Sequence, residues 1–213
     1  MKPHPEKAQC SSDAFRFAFI HVNKCGGTSF KRVFKNCPHI FIPKNNEITR
    51  LLTTRWFRKL EKFTVVRDPI DRFKSLVRMI WRDRNPGMPP ETVLNVILSS
   101  SADFVRAHTL EGYIKRHGLP ISHPHYGLVE NGRIIVDRFY RLEEMHEIWP
   151  LIKTSYSIPE ETLPRLNSTN PLREPVTLPR SDLDKFADTY SEDFTLFGYG
   201  KTEKRVLELV RKQ

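Results

Sequence analysis

The chain has 213 residues, 38% of them hydrophobic and 28% charged, with 14 Phe, 6 Tyr, 3 Trp and a formal net charge of +10. That is enough for one domain with a buried core, and too much aromatic mass for a disordered chain. No apolar run approaches the roughly 18–20 residues that cross a bilayer, and three cysteines without a C-x-x-C pair exclude a disulfide framework and the common zinc motifs.

Residues 1–14 are polar, carry prolines and lack the apolar run of a secretory leader, so they are expected to form a flexible N-terminal arm on a single domain spanning 15–213. Phe15 to Val22 is an apolar, aromatic run of strand length that stops at Asn23 and the Gly26-Gly27 pair, and Ser29 to Lys35 has helical character. Pro38 and Pro43 interrupt the next segment, and an amphipathic stretch covers Leu51 to Leu60. Phe63 to Val66 is a second buried-type strand, ended by Asp68-Pro69. From there Ile70, Phe73, Leu76, Val77, Ile80 and Trp81 follow helical spacing, with Arg72, Lys74, Ser75 and Arg78 on the opposite face. Helices are expected around 91–99 and 102–116, a third strand at Ile134 to Val136, and a helix over Leu142 to Lys153. Five prolines make 155–181 largely irregular, and helices over about 180–190 and from Thr202 complete the chain. Alternating strands and helices predict an α/β fold, a parallel central sheet flanked by helices on both faces.

The positive charge is local. Residues 16–35 carry five Lys or Arg and no acid, and residues 50–84 carry eleven against four acids, whereas the rest of the chain is close to balance. Two basic segments suit a polyanionic ligand held between them, or else a nucleic-acid surface. The first segment contains Asn23-Lys24-Cys25-Gly26-Gly27-Thr28-Ser29. Two glycines let the backbone turn its N–H groups onto an anion, the following helix adds its positive end, and Lys24, Thr28 and Ser29 add a charge and two hydroxyls. The triphosphatase loop G-x-x-x-x-G-K-[ST] does not fit, because Lys24 precedes the glycines. A cysteine-phosphatase loop fails as well, because an arginine is needed six residues after the cysteine and Lys31 stands there. The second segment places Arg67 at a strand end and Ser75 on the next helix. There a guanidinium clamps a second phosphate and a hydroxyl assists, unless Arg67 only pairs with Asp68 or Asp71 at a helix cap.

The two segments together, Lys24-Cys25-Gly26-Gly27-Thr28-Ser29 and Arg67-Asp68-Pro69-Ile70-Asp71-Arg72-Phe73-Lys74-Ser75, resemble the paired motifs of the sulfotransferases that use 3′-phosphoadenosine 5′-phosphosulfate (PAPS), in particular the carbohydrate sulfotransferases. Asp137 to Glu143 resembles that family's strand leading into a phenylalanine-glutamate segment, Leu163 to Ser168 its L-P-x-x-N-x-S loop, and Tyr190 to Phe194 its closing segment. Asn23 and Cys25 depart from the usual residues without removing a donor.

The resemblance implies a P-loop-like sulfotransferase fold and transfer of a sulfuryl group from PAPS to a hydroxyl, with a glycan as acceptor and no metal. It implies Lys24 as the residue that neutralises the bridging oxygen, and Gly26, Gly27, Thr28 and Ser29 as the holders of the 5′-phosphate. Arg67 and Ser75 would hold the 3′-phosphate, and Asn167 and Ser168 the adenosine side. For the general base, His125 in His123-Pro124-His125 is preferred and His39 comes next, with His108, His123 and Glu111 behind them, while His21 is expected to pack at a strand end. A cytoplasmic, bacterial enzyme without a membrane anchor is expected. The competing readings are a non-catalytic basic protein that binds nucleic acid or sulfated polyanions, and a P-loop-like kinase.

Overall fold

Among the described residues a parallel four-stranded sheet organises the fold. The computed structural model describes residues 14–44, 47–75, 129–130, 133–166, 187 and 190–200. Its strands are β1 (Phe17–Ile20), β2 (Ile40–Phe41), β3 (Glu61–Val66), a separate antiparallel pair β4 and β5 (Val129–Glu130 and Arg133–Ile134), and β6 (Arg138–Arg141). The sheet order is β2-β1-β3-β6, with every pair parallel. Register is fixed by Ile20 opposite Thr64 and Val66 opposite Arg141.

Period-two alternation sends successive side chains of each strand to opposite faces. Phe19 of β1 with Phe63 and Val65 of β3 enters one apolar cluster, under α1 (Gly27–Phe34) and α5 (Met145–Tyr156), which contribute Phe30, Phe34, Trp149 and Ile152. Ala18, Ile20 and Val66 enter the other, under α2 (Ile48–Leu52) and α3 (Arg55–Lys59), joined by Phe197 just after α6 (Ser191–Leu196). A further helix, α4, starts at 69 and is described to 75. The α/β fold with helices on both faces of a parallel sheet is therefore present. Phe19 anchors the first cluster, with ring centroids 4.9 Å from Phe34, 5.4 Å from Phe63 and 5.7 Å from Phe30. Truncating such a ring to alanine costs about 3–5 kcal/mol.

One strand differs from expectation. The sheet strand is Arg138–Arg141, whereas Ile134 lies in the β4–β5 pair and is 39% exposed. Among the described residues β6 has β3 as its only neighbour in the sheet, so its polar residues find partners at the margin. Arg138 Nε lies 3.0 Å from Glu61 Oε1, and the Tyr140 and Tyr156 hydroxyls are 3.1 Å apart. Apolar content therefore pointed a few residues too early. The helices expected around 91–99, 102–116 and from Thr202, and most of the one over 180–190, lie outside the described residues. Among the described residues no helix is long and apolar enough to cross a membrane.

Candidate active site at the carboxyl edge of the sheet

In a parallel sheet the carboxyl ends of all strands lie at one edge, and ligands bind there. Residues that follow three strands, His21 after β1, Arg67 after β3 and Leu142 after β6, line one cavity of about 890 Å³. Lys24, Gly26, Gly27, Thr28, Ser29 and Ser75 line the same cavity. The two motifs that the sequence keeps about forty residues apart thus meet around one space.

The loop between β1 and α1 is conformationally demanding. Lys24 has φ 67° and Gly26 φ 75°, both left-handed. Glycine adopts that region freely, but a lysine held there is strained by about 1–3 kcal/mol, a cost found mostly at functional positions. Gly26 leads into α1 without a side-chain cap, and the first turn contains no acid. The positive end of the helix is thereby left uncompensated by its own sequence. At Gly27 a Cβ would overlap the imidazole of His21, so any larger residue must displace that ring or shift the helix. Ser29 is buried, and its Oγ accepts the Leu166 N–H at 3.1 Å. That bond ties the 161–166 segment to the loop, and the serine keeps its own hydrogen to donate.

In the second motif the helix cap belongs to Asp68. Its Oδ1 accepts the N–H groups of Ile70 at 3.0 Å and Asp71 at 3.2 Å, ahead of Pro69 at the first helical position. Arg67 forms no ion pair among the described residues and faces the cavity, half-buried, together with Ser75. Arg72 does not belong to a solvated face as its spacing suggested. It is 3% exposed and lies beneath the loop, against Asp193.

Several lining residues escaped the sequence reading. Glu143 accepts the Asp68 N–H on Oε1 at 2.8 Å and the Tyr199 hydroxyl on Oε2 at 3.0 Å, so it fastens the end of β6 to the end of β3. Burial, with Glu143 beside it, pushes the Tyr199 phenol well above its ordinary value. His146 and Trp149 of α5, with Glu161 to Leu166, close the far wall, and the Trp149 indole donates to the Glu161 carbonyl at 3.0 Å. His21 was signalled by its place directly after a strand; the α5 wall had no local signal.

The histidines divide clearly. His39 precedes β2, at the amino edge of the sheet, and its Nε2 lies 2.7 Å from the Tyr156 carbonyl oxygen. Across strands of about 3.3 Å per residue that is the wrong edge for the cavity, so His39 is not a base for chemistry there. His21 packs over Gly27 and also lines the cavity. His125, Asn167 and Ser168 lie outside the described residues, as do His108, Glu111 and His123. Cys25 is 1% exposed, and burial pushes its thiol up to about 12 despite the nearby Arg72 and Arg67 cations. A thiol so protonated is no nucleophile at neutral pH.

No curated protein and no solved structure gives a significant match to the chain. Residues 10–200 match the family described as the sulfotransferase family, a span that takes in the sheet, the glycine loop, Arg67, Ser75 and the 161–166 wall. On a match of that extent the chain belongs to the sulfotransferase family.

Proposed function

We propose that this sulfotransferase moves a sulfuryl group from PAPS to a hydroxyl of a carbohydrate acceptor, within a single domain that begins at about residue 15. The observation that carries the reading is the convergence of Lys24 to Ser29 with Arg67 and Ser75 on one cavity of about 890 Å³. That size falls in the usual range of ligand pockets, about 300–1,000 Å³. Two separate clusters of anion donors suit a nucleotide with phosphates at both ends. Gly26, Gly27, Thr28 and Ser29 hold the 5′-phosphate through backbone N–H groups, hydroxyls and the positive end of α1. Arg67 and Ser75 hold the 3′-phosphate, and Asn167 and Ser168, next in the chain after the lining residue Leu166, serve the adenosine.

Lys24 supplies the charge that neutralises the bridging oxygen as the S–O bond breaks, a preorganised contact stronger in the transition state than in the ground state. His125 takes the acceptor proton. If His125→Ala keeps full turnover, that role passes to His21 or His146, the described histidines that line the cavity.

Calorimetric titration with 3′,5′-ADP and 5′-AMP tests the reading. Charge-assisted bonds are worth about 1.5–3 kcal/mol each, so 3′,5′-ADP should bind at least about tenfold more tightly. Arg67→Ala should abolish most of the difference while leaving 5′-AMP nearly unchanged. Equal affinities in the wild type, together with tight and salt-sensitive binding of nucleic acid or sulfated polymers, would replace this reading by that of a basic binding protein.

A further inference from the structure

We propose that Arg72, held by Asp193, is a positioning residue that sets the backbone of Lys24 in the anion loop. The proposal rests on the reading of residues 24–29 as the 5′-phosphate loop and adds two residues which that reading does not use. Arg72 Nε donates to the Asn23 carbonyl at 3.2 Å, and its Nη1 lies 3.2 Å from Asp193 Oδ2. The two side chains are 4% and 5% exposed. The Cys25 thiol donates to the same Asn23 carbonyl at 3.6 Å. One carbonyl of the loop thus accepts from two buried donors, Arg72 of α4 and the loop's own Cys25.

A trans peptide is planar, with its C=O and N–H on opposite sides. Holding the Asn23 carbonyl down onto Arg72 turns the Lys24 N–H the other way, towards the cavity that Asn23 and Lys24 line. The same constraint accounts for φ 67° at Lys24, a conformation a non-glycine residue keeps only when its surroundings impose it. Arginine suits the position because its planar fork serves two acceptors in fixed directions, which a single ammonium cannot do. Asp193 supplies the counter-charge without which a cation this buried is untenable. Through it α6, 121 positions along the chain from Arg72, becomes part of the loop's support.

Arg72→Lys and Asp193→Asn, titrated with 5′-AMP and with 3′-AMP and followed by thermal unfolding, test the assignment. 5′-AMP should weaken about tenfold or more, the scale of one lost charge-assisted contact, while 3′-AMP, which depends on Arg67 and Ser75, stays within about twofold. Equal weakening of the two nucleotides, or unchanged 5′-AMP affinity in a folded variant, would overturn the proposal. If Arg72→Lys does not fold, Asp193→Asn decides, because it keeps the size of the side chain and an acceptor oxygen. If neither folds, the pair serves the fold alone and the proposal fails. A wild-type protein that binds neither mononucleotide would instead remove the nucleotide reading itself, so the two failures are told apart.

Discussion

Gly27→Ala exposes how tightly the glycine loop is built. Gly27 opens α1 and does not have a positive φ, so alanine is allowed by the backbone and would ordinarily stabilise the helix by about 0.5–1 kcal/mol. Space decides otherwise. The new methyl would fall inside the His21 ring, which leans on Phe19 with centroids 6.5 Å apart, so the imidazole must swing out or α1 must move. Overpacking of this kind costs about 1–3 kcal/mol. The net expectation is a loss of about 0.5–2 kcal/mol, and at about 2–4 °C per kcal/mol for a chain of this size the melting temperature falls by about 1–8 °C. Scanning calorimetry of Gly27→Ala, His21→Ala and the double variant isolates the cause. With the ring removed, alanine at 27 should become neutral or stabilising, a reversal of sign that only contact between the two residues produces. A Gly27→Ala protein more stable than wild type, or a coupling below about 0.5 kcal/mol, would refute the packing described for this loop.

Lys24→Ala should lower kcat by about 10²–10³ in single-turnover assays and weaken 3′,5′-ADP binding far less; transfer at the wild-type rate would sink its proposed role. Burial raises the Cys25 thiol from 9.0 to about 12, so between those values the unfolded chain binds fewer protons than the folded one. Stability is therefore intact below about pH 9 and falls as pH rises towards 12, by up to about 1.4 kcal/mol per pH unit from this group. Cys25→Ala should keep most turnover and flatten that alkaline slope in urea unfolding; an unchanged slope counts against the buried thiol. His39→Ala loses the bond to the Tyr156 carbonyl and should cost about 1 kcal/mol of stability with kcat unchanged. A tenfold fall in kcat would contradict its place at the far edge.

What could be read from the sequence was what neighbouring residues decide among themselves. The aromatic run before Asn23, the glycine pair and the Asp68-Pro69 start of a helix are local devices, and each produced the expected element to within a few residues. Arg72 shows the limit. Its spacing put it opposite the apolar stripe of α4, and only a partner 121 positions away turns that face into a buried ion pair. Residues 157–166, the described part of the proline-bearing segment after α5, are irregular as expected, but nothing in them announced the bond from Leu166 to Ser29 that brings them to the loop. For the two basic motifs the decisive term is the sheet itself. Because β1 and β3 are parallel neighbours with Ile20 opposite Thr64, their exits emerge about 4.8 Å apart laterally and only two residues out of step. A glycine loop after one and an arginine after the other must then face a common space. Either motif by itself is compatible with an ordinary helix start; their attachment to adjacent parallel strands is what brings them to one cavity.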